Sequence, residues 1–314
     1  MKNAFKEFKR IMKNLNKTMR YIHKKEGYLY TFLFIDIVWC YIRYGITYNE
    51  YRIFKFYDLE GSKRKTYISK RSYKRIRKHL VDETITSVIN DKTLFLRRFN
   101  EYINRDIYNV NNISFKAFED LANDSKILFA RSDNSRFINS YKEYVISDFR
   151  SPAFALEDIK NKKLDLVEKS INQHKTLNEI APLVIINVVS VVNHNDIDLV
   201  TSSIKYKDNN KIISGNVNVR KGIITGRLKD ELGHNYGEDF DGFEIPSYDE
   251  IKEKCALFAR ELDEIRQIEW SFIVGSRGAV HLIDANIWND YVFSQTPEFL
   301  NNRIGLMSYY KKIL

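Results

Sequence analysis

The stretch Ile268-Glu-Trp-Ser-Phe-Ile-Val-Gly-Ser-Arg-Gly-Ala-Val-His-Leu-Ile-Asp-Ala-Asn286 decides the fold class of this 314-residue chain. Two runs of apolar, mostly β-branched or aromatic residues flank the Gly-Ser-Arg-Gly segment, a pattern that predicts two antiparallel strands joined by a turn. The second run ends on Asp284-Ala-Asn286. Because residues two apart on a strand point to the same face, Asp284 and Asn286 are predicted to project together while Ala285 turns away.

Further strands are predicted upstream of this hairpin. The strongest is the segment 183–192, which is apolar and rich in β-branched residues. An amphipathic helix is predicted for 248–265, with Ser247 as its N-cap. The other strand candidates are residues 125–131, 164–169, 197–206, 216–219 and 222–226. Strand-rich segments combined with helices predict a mixed sheet in an α+β domain.

Positive charge is concentrated near the N-terminus. Residues 1–90 contain 21 Lys and Arg against 8 Asp and Glu, a net charge of +13, whereas the remaining 224 residues carry −3. The same region has mainly helical periodicity. We therefore predict a basic, mainly helical N-terminal region at 1–89 and an α+β domain at 90–314, with lobes at roughly 90–180 and 181–314.

Cysteine content and hydropathy indicate the compartment. Cys40 and Cys255 are far apart and have no CxxC partner, so neither a zinc site nor a disulfide framework is predicted, and a reducing cytoplasm fits best. The first twenty residues lack the apolar centre of a secretory signal. The most apolar stretch, 28–42, carries Asp36 in its middle and is shorter than the roughly 20 residues that cross a bilayer. It predicts a buried or interfacial helix.

Two basic clusters, 63–65 and 70–78, carry much of the N-terminal charge. A solvated helix face is the ordinary interpretation, and an anionic membrane surface, an anionic polymer or a phosphorylated substrate is the second. Nucleic-acid binding is less favoured, because no zinc-finger, RRM or homeodomain pattern accompanies the charge. The expected location is the cytoplasm, with attachment to the inner membrane face through residues 63–78 as an open alternative.

The end of the hairpin suggests a metal. Asp284 and Asn286 offer hard oxygen ligands of the kind that Mg²⁺ accepts, and a Mg²⁺ held by one or two carboxylates usually also binds substrate phosphates. The same Asp-X-Asn pattern at a strand end is also ordinary turn chemistry. The pattern by itself leaves both interpretations open.

The order of motifs resembles that of ATP-grasp proteins, and more narrowly the sugar-transfer-associated ATP-grasp family of bacterial polysaccharide biosynthesis. The resemblance runs from about Asp36 to the C-terminus. Its landmarks, in chain order, are Tyr44-Gly45, Arg64-Lys-Thr-Tyr-Ile-Ser69, Asn90-Asp-Lys92, Glu168, Gln173-His174, Ser214-Gly215, the segment from His234 to Pro246, Trp270, Asp284-Ala-Asn286, Gln295 and Gly305-Leu-Met-Ser-Tyr-Tyr310.

This resemblance implies a nucleotide held between two α+β lobes, with ATP and Mg²⁺ as cofactors. It implies an ATP-dependent ligase that phosphorylates a carboxylate to an acyl phosphate, which an amine then attacks. The implied site residues are Lys92 and Arg131 as phosphate-binding cations, Lys205 as a basic strand residue facing the phosphates, Glu168 near the adenine and ribose, and Asp284 with Asn286 on Mg²⁺. Arg131, Lys205 and His234 are the catalytic candidates.

The resemblance also implies a substrate and partners. The substrate would be a carboxylated sugar or amino acid, and the product an amide on a polysaccharide precursor of the capsule or O-antigen type. Other glycan-assembly proteins would be the partners.

The chain departs from the family pattern where the chemistry lies. Arg131-Ser132 replaces Lys-Pro, the following loop 132–139 has no glycine, and segment 186–189 lacks a phosphate-directed arginine. Ser271 stands 13 residues before Asp284 where an acidic ligand is expected, and Asp284 is one methylene shorter than the usual glutamate.

Two hypotheses follow from these departures. In the first, the chain is a divergent ligase with a rebuilt site that recruits Asp133, Glu269 or Asp290. In the second, it is a degenerate ATP-grasp domain that binds a partner, a lipid-linked sugar or a nucleotide without turnover.

Overall fold

The computed structural model describes residues 2–103, 105–133, 136–194, 196–209, 211–230, 233–287, 290–297, 299–300 and 302–314. Its helices are α1 (Lys2–Glu26), α2 (Tyr30–Tyr44), α3 (Tyr48–Ile53), α4 (Gly61–Arg64), α5 (Lys70–Leu80), α6 (Ser87–Asn90), α7 (Lys92–Arg98), α8 (Phe115–Asp124), α9 (Phe137–Ser140), α10 (Pro152–Asn161), α11 (Tyr248–Glu261) and α12 (Met307–Ile313). Its strands are β1 (Ile107–Asn109), β2 (Ile127–Arg131), β3 (Lys142–Val145), β4 (Leu166–Lys169), β5 (Ile185–Asn193), β6 (Asp196–Asp208), β7 (Lys211–Asn218), β8 (Ile223–Lys229), β9 (Gln267–Val274) and β10 (Val280–Asn286).

The chain forms two compact units. The helical unit comprises Met1–Leu80 with Asn289–Leu314, and the two-sheet unit comprises Val81–Trp288. The sequence predicted a boundary at residues 89 and 90, with lobes at roughly 90–180 and 181–314, and so placed residues 289–314 in the α+β domain instead of the helical unit. One physical reason is the buried side chain of Gln295, which accepts a hydrogen bond from Ile68 N at 2.8 Å and donates one to Ile68 O at 3.1 Å.

The helical unit follows the helical pattern predicted for the N-terminal region. Helix α2 covers the apolar stretch and ends at Gly45, whose φ of 73° is the left-handed conformation that favours glycine after a helix. Thr47 and Glu50 then form a capping box that starts α3. Residues of α1, α2 and α3 share one apolar core, to which α2 contributes Leu33, Ile37 and Cys40. None of the helices in the described ranges combines the length and apolar character needed to cross a membrane.

The two-sheet unit contains a four-stranded sheet in the order β1-β4-β2-β3 and a six-stranded sheet in the order β10-β9-β5-β6-β7-β8. The predicted α+β class is therefore confirmed. The predicted mixed sheet is wrong, because the named strands pair antiparallel in both sheets. Only two to five residues separate consecutive strands from β5 to β8 and from β9 to β10, and connections this short pair strands antiparallel.

Helix α11 packs on the six-stranded sheet, where Phe258 contacts the rings of Trp270 and Phe272. The predicted N-cap is wrong. Ser247 has a φ of 54° and its side chain makes no capping hydrogen bond. An N-cap needs extended backbone so that its oxygen meets the first free N–H groups of the helix, and a left-handed serine does not provide that geometry.

An apolar cluster joins the two sheets. It brings together Phe129 of β2, Phe137 of α9, Ile185 of β5, Ile273 of β9 and Ile283 of β10. Glu269 and Ser271 lie on the same face of β9 as Ile273, and they are paired with Asn286 and Asp284 of β10, so these polar side chains also lie between the sheets. The cluster therefore fixes the position of the candidate site.

Candidate functional site

The β9-β10 hairpin presents its polar residues on one face. Asp284 is paired with Ser271, and Asn286 with Glu269, after a register shift between Leu282 and Asp284. Asn286 Nδ2 donates to Asp284 Oδ2 at 3.0 Å. The prediction that Asp284 and Asn286 project together is thus confirmed, and the strand pairing adds Glu269 and Ser271 beside them.

Asp284 is fully buried, at 0% exposure, and is held in its ionised form. Lys92 Nζ lies 2.7 Å from its Oδ1, and Phe137 N at the start of α9 donates to its Oδ2 at 3.0 Å. Burial is the largest single influence and raises the pKa of this carboxyl, but the charges of Lys92 and Arg131 and the hydrogen bonds from Lys92 and Phe137 together hold the pKa of Asp284 below its usual value.

Lys92 begins α7 behind Asp91, whose side chain accepts a hydrogen bond from Leu94 N. An ammonium group has three N–H donors. All of them have acceptors here: Asp284 Oδ1, Ile89 O at 2.9 Å and Ala285 O at 2.9 Å. A phosphate oxygen that approached Lys92 would therefore have to replace one of these acceptors.

Glu168 and Arg131 face each other from neighbouring strands of the smaller sheet. Glu168 Oε2 lies 2.8 Å from Arg105 Nε, and Glu168 Oε1 lies 3.6 Å from Arg131 Nε, too far for a hydrogen bond. Arg131 is only 1% exposed. Among the described residues its Nε and Nη1 have no hydrogen-bond acceptor. A buried guanidinium with open donors is suited to bind an anion.

A second group of charges centres on Glu269 of β9. Lys205 Nζ lies 3.2 Å from its Oε1, and Arg136 Nη2 lies 3.0 Å from its Oε2. Beside them Ser271 Oγ donates to Asn187 Oδ1 at 2.7 Å. Glu269 is only 2% exposed, so its charge is neutralised in the interior by two cations.

The space among these side chains is small. A cavity of about 10 Å³ remains, lined by Arg136, Phe137, Ile138, Ile185, Asn187, Lys205, Glu269, Ser271, Asp284 and Asn286. That volume is close to what one water molecule requires. In this conformation the cations and carboxylates therefore fill the site themselves.

The structure brings six of the seven predicted site residues into this region: Lys92, Arg131, Glu168, Lys205, Asp284 and Asn286. His234 is elsewhere. Its Nδ1 lies 3.3 Å from Asp230 Oδ2 beyond the end of β8, and it does not line the cavity.

The three acidic residues predicted to replace the missing metal ligand lie in different places. Glu269 lies in the site. Asp133 accepts hydrogen bonds from Lys92 N at 2.6 Å and from Thr93 Oγ1 at 3.3 Å, and so fixes the start of α7. Asp290 belongs to the helical unit. In the glycine-free loop, Asn134 and Ser135 lie outside the described residues.

Sequence reasoning missed Arg105 and Arg136, which no pattern marks. Glu269 had a signal, because it lies two residues before Ser271 and hence on the same face of the strand. Arg131 was predicted from the motif resemblance, in which it takes the place of the family's lysine.

Neither a protein-family model nor a curated protein matches the chain. Solved structures similar to it include D-alanyl-alanine synthetase A from Vibrio cholerae, with a TM-score of 0.46 and 9% identity over 72% of this chain and 63% of that chain. N5-carboxyaminoimidazole synthase from Aspergillus clavatus, in complex with ADP, has a TM-score of 0.40 and 9% identity over 70% and 50%.

A third similar structure is the ATP-grasp ligase PsnB complexed with a precursor variant, Mg and ADP. Its TM-score is 0.45 at 10% identity over 74% of this chain and 60% of that chain. The chain spans 50–63% of the length of these three structures.

Proposed function

We propose that the two-sheet unit is a divergent ATP-grasp ligase, which uses ATP to activate a carboxylate for amide formation with an amine. One observation carries the proposal. Lys92, Arg131 and Lys205, which come from α7, β2 and β6, lie with the carboxylates of Asp284, Glu168 and Glu269 in one buried set of ion pairs between two antiparallel sheets. Converging cations are the main requirement of phosphoryl transfer.

The donors present fit a phosphate. Arg131 is buried with two N–H groups that lack acceptors among the described residues, and such groups are costly unless a ligand uses them. Arg131 would bind phosphate oxygens through its fork, whereas Lys92 and Lys205 would act as point charges. Glu168 orients Arg131 and Arg105 from β4.

The acceptors present fit a hard divalent cation. Asp284, Asn286 and Glu269 place two carboxylates and one carboxamide on the same end of the β9-β10 hairpin. Glu269 thereby supplies the second carboxylate that Ser271 lacks. No group of three or more His, Cys, Asp or Glu side chains that could hold a metal ion occurs in the described ranges. Mg²⁺ needs only one or two protein carboxylates, with water and substrate phosphates completing its shell.

The proposed reaction has two steps. A substrate carboxylate oxygen bonds to the γ-phosphorus of ATP as the bond to the bridging oxygen breaks, so that ADP leaves. The amine nitrogen then bonds to the acyl carbon, phosphate leaves and the nitrogen loses a proton. Lys205 and Arg131 would stabilise negative charge on the transferring group, and Mg²⁺, when bound, would supply further positive charge there. The buried position of these residues would keep water from the acyl phosphate.

The finer assignment rests on the motif resemblance. We propose a carboxylated sugar or amino acid as the substrate, an amide on a polysaccharide precursor as the product, and glycan-assembly proteins as partners. The order of landmarks from Asn90-Asp-Lys92 to Asp284-Ala-Asn286 supports this assignment.

A second candidate function is non-catalytic binding. The observation that favours it is the filled site, in which Lys92 has three acceptors and Lys205 is paired with Glu269 around a cavity of about 10 Å³. A ligand has to displace these internal ion pairs, and breaking buried pairs is expensive. A domain that no longer uses ATP would have this arrangement.

Measurement of ATP turnover distinguishes the ligase from the non-catalytic binding protein. Purified chain is incubated with ATP, Mg²⁺ and mixtures of uronic acids, amino acids and amines, and ADP release is measured. The ligase proposal predicts ADP release that needs both a carboxylate and an amine and is lost in Lys205→Met, while the exposed Asp263→Asn control keeps it. ADP release at the level of a blank with every mixture would leave the non-catalytic function.

A further inference from the structure

The helical unit has a charge imbalance that the ligase site does not explain. It contains 24 Lys and Arg against 8 Asp and Glu, a net charge of +16. The two-sheet unit contains 27 against 33, a net charge of −6, and the two values give the +10 of the whole chain. A surface so strongly basic attracts anionic partners.

Helix α2 exposes a broad apolar surface in this same unit. Only a narrow side of the helix is buried, formed by Leu33, Ile37 and Cys40. The large apolar residues on or next to its other sides are 38–70% exposed: Leu29, Tyr30, Phe32, Phe34, Ile35, Val38, Trp39, Tyr41 and Ile42. A helix that faces water normally carries charged residues on its exposed side, so an apolar face of this size marks an interaction site.

The one charged residue between Tyr30 and Ile42 does not interrupt this surface. Asp36 accepts hydrogen bonds from Arg64 Nη1 at 2.6 Å, from Arg64 Nη2 at 2.8 Å and from Tyr51 Oη at 2.6 Å. Its side chain is 12% exposed. The carboxylate is therefore turned into the unit, and the exposed face of α2 carries no charge between Tyr30 and Ile42.

A basic cleft lies at the C-terminal end of this helix. Its volume is about 440 Å³. Its lining includes five cations and a histidine but no aspartate or glutamate side chain among the described residues: Arg43, Arg64, Lys65, Arg75, Lys311 and His79. Arg64 is the partner of Asp36 on α2, and Arg43 lies on α2 itself, so the cleft adjoins the apolar face.

Most of the cleft's charge is not neutralised internally. Arg43, Lys65, Arg75 and Lys311 make no ion pair with a carboxylate in the described part of the chain, in contrast to Arg64. The neighbouring Arg71 reaches Tyr41 O and Ile42 O at 3.4 Å each. Cations there also complement the negative end of the α2 dipole.

We propose that the helical unit docks on an anionic membrane surface, with α2 lying in the interface and the basic cleft binding the phosphate of a lipid headgroup. An apolar helix face bordered by cations is the arrangement of interfacial helices, which lie in the membrane plane. Trp39, Tyr30 and Tyr41 add residues that prefer the interface. A segment of 15 residues extends only about 22 Å, so α2 lies on the bilayer instead of crossing it.

The first test is co-sedimentation of the full chain with vesicles of phosphatidylcholine alone and with 30% phosphatidic acid added. We expect binding to the acidic vesicles that weakens with salt. Lys65→Gln with Arg75→Gln should reduce the affinity about fivefold for each cation, roughly 25-fold together. The double variant Lys116→Gln with Lys160→Gln, which removes two exposed cations from the two-sheet unit, should bind as the parent chain does. Equal binding to both vesicle types would overturn the role of the cleft.

The second test addresses α2. Ile35→Ser and Trp39→Ser should each reduce vesicle affinity about tenfold, because each removes apolar area from the interface. Phe154→Ser, which changes an apolar residue that is 50% exposed on the two-sheet unit, is the matched control. Unchanged binding of Ile35→Ser and Trp39→Ser would exclude insertion of α2.

A second copy of the chain is the competing occupant of this face, and sedimentation velocity without vesicles distinguishes it. A monomer supports the membrane proposal. A dimer that Ile35→Ser dissociates would overturn it, because the apolar face would then be covered by protein. Inorganic phosphate at 10 mM should not displace the chain from acidic vesicles, and full displacement would assign the cleft to free phosphate.

Discussion

The two units differ in where their cations lie and in whether those cations are paired with carboxylates. The two-sheet unit has a net negative charge, yet it buries Lys92, Arg131 and Lys205 and pairs each with a carboxylate. The helical unit has a net charge of +16. Most of its cations in the described ranges are exposed. Burying an ion costs several kcal/mol unless a partner lies close, so the pairing in the first unit is a condition of folding. Exposed cations carry no such cost and remain available to a partner.

The same comparison holds for apolar residues. In the two-sheet unit the apolar cluster with Phe129 and Ile283 is buried between the sheets. In the helical unit, α2 buries Ile37 but leaves Ile35 at 68% exposure. One unit satisfies its apolar and charged groups internally, and the other leaves both kinds of group for an external surface.

The largest expected effect is the loss of a buried ion-pair partner in the two-sheet unit. Lys92→Met leaves the buried carboxylate of Asp284 without the cation that contacts it directly and should lower the free energy of unfolding by about 3–5 kcal/mol. Lys205→Met is the matched control and should cost less, because Arg136 still neutralises Glu269. Urea denaturation followed by tryptophan fluorescence measures both. Equal losses, or a loss below about 1 kcal/mol for Lys92→Met, would contradict the account.

A smaller effect is expected for the corresponding ion pair of the helical unit. Arg64→Met removes two hydrogen bonds from Asp36 but leaves the one from Tyr51, and the pair is 11–12% exposed. The expected loss of stability is about 2 kcal/mol. Arg43→Met, which removes a neighbouring cation with no ion pair among the described residues, should have almost no effect on the urea midpoint. A loss for Arg64→Met as large as that for Lys92→Met would remove the contrast between the units.

Low pH should lower the stability of the two-sheet unit more than that of the helical unit. The pKa of Asp284 is lowered, so its stabilising contribution is present above the ordinary carboxyl value of about 4 and is lost as the pH falls through the lowered pKa. In EDTA, the difference in unfolding free energy between the parent chain and Asp284→Asn should therefore shrink as the pH falls from about 5 to 2. A difference that stays constant over this range would contradict the ionised, paired state of Asp284.

The smallest effect is expected on the exposed side of α2. Ile35→Ala should change the unfolding free energy by less than about 0.5 kcal/mol, because the side chain has little packing to lose. Ile37→Ala, on the buried side of the same helix at 4% exposure, should cost about 2–5 kcal/mol. Thermal unfolding of the two variants tests the pair. Similar costs would show that the outer face of α2 is packed.

Sequence predicted the elements better than the contacts. Apolar runs rich in β-branched residues located β5, β9 and β10, and the two-residue period of a strand placed Asp284 with Asn286. It did not reveal the register shift next to Ile283 or the contact of Lys92 with Asp284, since both depend on how distant segments pack. Arg105 and Arg136 have no periodic signal at all. Their contacts with Glu168 and Glu269 become apparent only in the folded structure.

The apolar stretch of α2 is another case in which the sequence predicted the element but not its contacts. Its composition predicted a buried or interfacial helix, but which residues face outward depends on where α1 and α3 contact it. The left-handed backbone of Ser247 is a second case, because Pro-Ser before an amphipathic pattern is typical of a capped helix start.

Calorimetric titration of the purified chain with a non-hydrolysable ATP analogue, with and without Mg²⁺, tests whether the β9-β10 hairpin holds a nucleotide and its metal ion. Asp284→Asn is the probe, and Asp263→Asn, an exposed change on the same unit, is the control. We predict Mg²⁺-dependent binding by the parent chain and by Asp263→Asn, weakened about tenfold or more in Asp284→Asn because a metal carboxylate is lost. The absence of binding by the parent chain, or equal binding by all three proteins, would contradict a nucleotide and metal site at this hairpin.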